Sequence, residues 1–138
     1  MSKFNKQDLV LYQGKAYIVI NMKEWRGNKY ILKRFKRPFG ADAALHNIKE
    51  EELTLIKPKL SLEEITGFKK GDILYATKED GINNGNLLKD LQKVEFLNFR
   101  YNSIYSGHIW LKVKANDKFY YVKAHTFCKN KGDNYEIY

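Results

Sequence analysis

One cysteine and two prolines are all that this 138-residue sequence contains of either. A lone Cys128 cannot form an internal disulfide, which fits a reducing, cytoplasmic setting. No run approaches the ~18 apolar residues of a membrane-spanning helix, so no membrane partner is expected. The polar opening Met1-Ser2-Lys3-Phe4-Asn5-Lys6 leads into no signal-peptide core, and export is not expected. Neither a Walker loop nor a GxGxxG fingerprint occurs, and Gly81 to Gly85 reads as a turn rather than a phosphate cradle. His46, His108 and His125 lack the spacing of metal ligands, so neither a metal nor a cofactor is implied. Cys128, three residues after His125, could in principle form a thiolate–imidazole pair. No glycine-rich oxyanion turn accompanies it, and a structural cysteine is the expectation. Glu50/Glu51 and Glu63/Glu64 fall at expected helix starts, where they meet the helix dipole favourably. The sequence is therefore read as a binding protein and not as an enzyme.

What the chain does contain is charge and rings. It carries 25 Lys+Arg against 16 Asp+Glu, a formal +9, together with 10 Tyr, 8 Phe and 2 Trp. That aromatic content is too high for a disordered chain. The basic excess is shared between residues 1–66 and 67–138, so no tail holds it. Locally it is uneven. Between Trp25 and Ala41 lie Arg26, Lys29, Lys33, Arg34, Lys36 and Arg37 with no acid until after position 41. Such separation can attract a polyanion, either nucleic acid or an acidic protein face; otherwise it serves solubility.

Short strand signals dominate. Leu9 to Tyr12 and Ala16 to Ile20 flank Gln13-Gly14, which predicts a hairpin over 9–22. Arg26-Gly27-Asn28 predicts a second turn before a strand from Lys29 to Phe35. On that strand Tyr30, Leu32 and Arg34 share one face and Lys29, Ile31, Lys33 and Phe35 the other, one face core and the other solvated. Residues 43–48 are ambiguous between strand and helical turn. Glu50 to Leu53 suggests one turn of helix before a strand at Thr54-Leu55-Ile56. Lys57-Pro58-Lys59 is the linker candidate. Ser61 and Glu64 match a capping box, and Gly67 ends that short helix. Further strands are expected over Asp72 to Ala76, Val94 to Arg100, Gly107 to Val113 and Phe119 to Ala124. Ala115-Asn116-Asp117-Lys118 joins the last two as a hairpin. Asp80 to Asn86 reads as a loop, with a short helix over Leu87 to Lys93.

The halves can be superposed as patterns. Asp8-Leu9-Val10 matches Asp72-Ile73-Leu74; Tyr30-Ile31-Leu32-Lys33 matches Ile109-Trp110-Leu111-Lys112; Ile48-Lys49 with Leu53 matches Val122-Lys123 with Phe127. Each half would be a five-strand meander with a helical turn before its last strand. That outline resembles the small SH3-like barrels of the KOW and Tudor type, whose opening-strand glycine is present as Gly71 but replaced by Gln7 in the first copy. The resemblance implies a mainly β protein of two SH3-like barrels in tandem. They would occupy 1–57 and 68–138, joined by a linker with a short helix over 58–67, and the second would carry a longer loop, 77–93. Barrels this small bury little core, so the halves are expected to pack together. The competing architecture is one larger barrel or α+β domain with 57–67 as an internal loop.

Two segments interleave cations with aromatics. One is Lys29 to Phe39; the other runs from Arg100 and Tyr101 through Tyr105 to Trp110, Lys112 and Lys114. On the latter strand Ile109, Leu111 and Val113 would face the core and Trp110, Lys112 and Lys114 the opposite side, although Trp110 itself is expected to serve the core more than to stack a base. Cations track phosphates and flat rings stack bases, so nucleic acid or a nucleoprotein is the expected partner. A protein partner is the alternative. Tyr12, Tyr17, Tyr101, Tyr105, Tyr120, Tyr121, Tyr135 and Tyr138 exceed what a small core uses, and tyrosine suits interfaces. In size and composition the chain is similar to small phage or mobile-element proteins, such as anti-CRISPR inhibitors of host nucleic-acid enzymes.

Overall fold

The computed structural model describes residues 3–24, 26–37, 39–40, 42–76, 93–105, 107–129 and 135–136. The loop and helix expected over 80–92 lie outside them, as do Trp25 and Tyr138. The described chain is mainly β: two five-stranded antiparallel sheets, a two-stranded ribbon and one α-helix.

The first half supplies β1 (Leu9–Tyr12), β2 (Lys15–Glu24), β3 (Asn28–Arg34), β4 (Lys36–Arg37), β5 (Leu45–Lys49) and β6 (Thr54–Lys57). After α1 (Leu62–Thr66) come β7 (Ile73–Ala76), β8 (Lys93–Phe99), β9 (Trp110–Ala115), β10 (Lys118–Lys123), β11 (Phe127–Cys128) and β12 (Tyr135–Glu136). The sheets run β5-β3-β2-β1-β6 and β10-β9-β8-β7-β11, and β12 crosses back to pair with β4. Each half is therefore not a plain meander. Its first four sheet strands follow one another, and the fifth returns to the far edge of the first. Neither ladder closes on itself among the described residues.

Local chemistry explains the elements. Gln13 and Gly14 both hold positive φ (50° and 77°), the geometry that lets a two-residue turn follow the twist of its strands. Asn116 and Asp117 do the same at 51° and 62°. In α1, Ser61 Oγ accepts from the Glu64 amide at 3.1 Å while Glu64 Oε1 accepts from the Ser61 amide at 3.0 Å. Gly67 closes the helix in the left-handed region at φ 79°. The ambiguous segment at 43–48 resolves as β5, and the turn ahead of β6 is a 3-10 turn over Glu50–Glu52.

The internal repeat is structural. Asn5–Asp8 and Lys69–Asp72 are the same turn twice. The Asn5 amide donates to Asp8 Oδ2 at 2.9 Å, and the Lys69 amide donates to Asp72 Oδ2 at 2.8 Å. The third residue is left-handed in both, Gln7 at φ 73° and Gly71 at φ 89°. Gln7 then exchanges bonds with the second strand (Gln7 N–H to Val19 O, 2.8 Å; Val19 N–H to Asp8 O, 3.0 Å). Gly71 does likewise (Gly71 N–H to Phe96 O, 2.9 Å; Phe96 N–H to Asp72 O, 2.9 Å). Both second strands carry an irregularity just beyond, between Val19 and Asn21 and between Phe96 and Asn98. Each asparagine accepts from the next amide, Met22 at 2.8 Å and Phe99 at 2.9 Å. A second 3-10 turn, Ala124–Thr126, precedes β11 as the first precedes β6.

One part of the sequence superposition shifts. Val19 pairs Leu32 where Phe96 pairs Val113, and Tyr30 pairs Ile48 where Leu111 pairs Val122. Tyr30 thus corresponds to Leu111 and Lys33 to Lys114, two residues on from the match made by pattern.

The first sheet is covered on both faces. Val10, Val19, Tyr30, Leu32, Ile48, Leu53 and Phe4 form a small core on one side. The Tyr30 hydroxyl accepts from the Phe4 and Lys3 amides at 3.2 Å each and donates to Glu50 Oε2 at 2.6 Å. On the other side Leu9, Ala16, Ile18, Ile20 and Phe35 join α1 (Leu62, Ile65), Phe68 and the inner face of the second sheet (Leu74, Phe96, Leu111, Val113, Val122) in one larger core. The halves do pack together. Each fully buried aliphatic or aromatic side chain there contributes roughly 1.5–3 kcal/mol.

The duplicated turn gives a graded expectation. Asp8 is buried and its Oδ1 also accepts the Lys59 amide at 2.9 Å, whereas Asp72 is half-buried beside Lys129 Nζ at 3.6 Å. Asp8→Ala strands two amides and should cost about 2–3 kcal/mol in urea denaturation, Asp72→Ala about 1 kcal/mol. Equal losses would mean that the turns are not graded by their burial.

Candidate nucleic-acid interface

Among the described side chains, the cations of 26–36 are not gathered into one patch. On β3 the face of Ile31, Lys33 and Phe35 is turned toward the larger core, so neither face of this strand is the solvated one expected from alternation. Lys33 is only 7% exposed, and its Nζ donates to the Gly40 carbonyl at 3.0 Å. Lys36 is held by Asp42 at 3.0 Å. The Arg34 guanidinium lies 5.3 Å from the centre of the Tyr17 ring on the opposite face. Lys29 Nζ turns back to the Arg26 carbonyl at 3.1 Å, and Arg26 sits in the exposed β2–β3 turn. The Arg37 side chain lies outside the description, although its backbone pairs with Tyr135.

The second segment comes together. Along β9 the burial alternates, Leu111 and Val113 buried and inward, Trp110, Lys112 and Lys114 half-buried on the outward side. Trp110 is therefore not a core residue. The Asn116-Asp117 turn sets β10 in register, so that Phe119 lies opposite Lys114, Tyr121 opposite Lys112, and Lys123 opposite Trp110. Two of the outward cations have a ring beside them: Lys112 Nζ is 4.8 Å from the Phe119 centroid and Lys123 Nζ 5.5 Å from that of Trp110. Phe119 and Tyr121 are 57% and 46% exposed. Arg100, just past the end of β8, lies 4.6 Å over Tyr121 and 5.3 Å from Tyr101, which stacks on exposed Tyr105 at 4.8 Å and 23°. Arg100, Tyr101, Lys112 and Lys114 thus belong to one surface. Phe119, Tyr121 and Lys123 complete it; of these the sequence marked only Tyr121, and only as one of a surplus of tyrosines. Among the described residues no carboxylate is within ion-pair distance of Lys112, Lys114 or Lys123. Glu95, opposite Lys114 on β8, is the acid on this face.

Beside Lys123 lies a cluster of imidazoles. The His108 and His125 rings are 5.7 Å apart at 34°. His108 Nδ1 is buried without a hydrogen-bond partner among the described residues. Burial, then the charges of Lys33, Lys123 and His125, push His108 down to about 4 from an ordinary 6.5. Burial and the charge of Lys123 also lower Lys33. Cys128 is buried, its Sγ directed to the Tyr75 carbonyl at 3.8 Å. Among the described residues, no three His, Cys, Asp or Glu side chains are grouped to hold a metal, and no helix is long and apolar enough to cross a membrane. The chain matches no model of a known protein family and no curated protein sequence.

His108 makes stability depend on pH. The unfolded chain takes up its proton near 6.5 and the folded one only near 4. Stability is therefore full above 6.5 and falls as pH drops toward 4, by an upper limit of about 3 kcal/mol. Urea denaturation at pH 7.5, 6 and 5 should show this loss for the wild type and a much smaller one for His108→Gln. Parallel curves for the two proteins would remove His108 as the cause.

Proposed function

We propose that the protein is a binding protein without enzymatic activity that holds nucleic acid, free or in a nucleoprotein, across the outer face of β9 and β10. The observation that carries this reading is the alternation of Trp110, Lys112 and Lys114 against Lys123, Tyr121 and Phe119, with Arg100, Tyr101 and Tyr105 at one end. Rings spaced along a strand can stack successive unpaired bases while ammonium groups between them meet the phosphates. Single strands are favoured over duplex because paired bases offer no ring face. The fold proposed for each half is the SH3-like barrel, supported by the return of the fifth strand beside the first and the 3-10 turn ahead of it. A cytoplasmic setting is supported by a single, buried cysteine.

A second reading rests on the exposure of Ile73, Phe119 and Tyr121 and on the open edge of β10. These suit a protein partner, such as a nucleic-acid enzyme that the chain would inhibit, in the manner of a phage-encoded inhibitor.

Fluorescence anisotropy with labelled single- and double-stranded DNA and RNA at ~50 and ~200 mM salt separates the two. Single-strand affinity should fall steeply with salt. Combined Lys112→Met, Lys114→Met and Lys123→Met should lower the salt slope by roughly 2, at ~0.7 per phosphate contact. Trp110→Ala or Tyr121→Ala should each cost ~1–3 kcal/mol of binding. Lys36→Met, which removes a cation already paired with Asp42, should leave affinity nearly unchanged. Absence of binding to any strand at the lower salt would overturn the nucleic-acid reading and leave the protein partner.

A further inference from the structure

A cleft of about 400 Å³ opens where the first sheet meets Gly107 of the second half, lined by Lys6, Asn21, Lys33 and His46. None of the outer-face residues lines it, although the charge of Lys123 reaches both places, and its chemistry is unbalanced. Lys33 is buried, yet among the described residues only one bond, to the Gly40 carbonyl, serves an ammonium with three N–H groups. Asp42, the acid whose charge reaches Lys33, is within ion-pair distance of Lys36 instead. Lys123, His108 and His125 stand behind it, so cations and imidazoles gather with, among the described residues, no carboxylate in contact with Lys33. The site is also kept open. At Gly107, φ is 80°, and a Cβ there would sit 3.8 Å from Lys33 Cε and 3.2 Å from Ile20 Cδ1. A buried ammonium with unused donors beside an accessible space is the arrangement that an anion completes.

We propose that this cleft is a phosphate-monoester site, with Lys33 at its floor and Lys6 and His46 supplying further donors to the phosphate oxygens. A carboxylate offers two acceptor atoms; a terminal phosphate offers three and a second negative charge, which suits two lysines and an imidazole better. The volume leaves room for the sugar that bears the phosphate. Two sources share this chemistry, a free mononucleotide and the phosphorylated end of a strand.

The test uses the full chain at fixed ionic strength, titrated calorimetrically with inorganic phosphate, adenosine 5′-monophosphate and adenosine. The monophosphate should bind and adenosine should not. Lys33→Met should weaken the monophosphate about ten- to a hundredfold, the equivalent of one charge-assisted hydrogen bond. Lys6→Met, on an exposed residue whose removal leaves the core intact, should weaken it several-fold and keeps the test alive if Lys33→Met does not fold. Phe119→Ala, which removes an exposed ring beside Lys112 rather than Lys123, should not change it, which separates this site from the sheet face. Oligonucleotides ending in a 5′-phosphate, a 3′-phosphate or only hydroxyls then identify the source. Preference for one phosphorylated end points to a strand terminus, and equal binding of all three, with the free monophosphate retained, points to a nucleotide. No binding of phosphate or monophosphate at millimolar concentration, or binding that both lysine substitutions leave intact, overturns the proposal.

Discussion

The larger core, where α1 and one face of the first sheet meet the inner face of the second, is the packing on which the other features depend. Because the first sheet already has a small core of its own behind Tyr30 and Leu32, the larger core covers its second face too. The cations on and just after β3 are then forced into packed or paired environments. Lys33 finds a backbone carbonyl, Lys36 finds Asp42, and Arg34 lies over Tyr17. Among the described residues, the second sheet has only one face committed to a core. Its other face carries half-buried cations with the exposed rings of Phe119 and Tyr121, so the asymmetry in packing decides which of two similarly basic halves has the surface proposed for binding.

Much of this was legible in the sequence because local rules fix local geometry. A two-residue turn at Gln13-Gly14, a capping box at Ser61 and Glu64, and the matching Asp8 and Asp72 each have one economical structural solution, and each is found. The repeat was visible at Asp8 and Asp72 because the side chain closes its own turn. Gln7 could hide the equivalence with Gly71, since its left-handed backbone is stabilised from outside, by the Gln7 Nε2 bond to the Leu60 carbonyl at 2.8 Å. The match of β3 to β9 slipped by two residues for a physical reason. A slip of one would have inverted the faces and betrayed itself; a slip of two preserves the alternation and leaves no trace in hydropathy.

The candidate site was less legible, and the reason lies in what a charge run can report. Lysine and arginine stems pack against apolar surface while their heads seek partners, so six cations in sequence say little about where six charges sit. Trp110 misled in the opposite direction, its size suggesting core while the alternation of β9 put it outside. Phe119, Tyr121 and Lys123 could have been found. Two residues between Ala115 and Lys118 force a tight hairpin, and that register alone lays Phe119, Tyr121 and Lys123 beside Lys114, Lys112 and Trp110. Extending the alternation of one strand through its turn would have recovered the whole face.

The cations on that face are not idle before a ligand arrives. Lys112 rests near Phe119, Lys123 near Trp110 and Arg100 near Tyr121, at 4.6–5.5 Å from the ring centres. These placements hold like charges apart, each against the negative face of a ring. On the proposed function, binding a strand would be an exchange in which a cation leaves its ring for a phosphate and a base takes the vacated face. The cation–ring attraction given up is worth ~0.5–1 kcal/mol at an exposed site, and the base stack that replaces it ~1–3 kcal/mol. The exchange favours the strand even before counterion release is counted, and it grows more favourable as salt is lowered. The same exchange disfavours a duplex, which offers phosphates without an open ring face. On the proposed function, a surface whose cations are parked on its own aromatics would thus favour unpaired nucleic acid by the energetics of what it must give up.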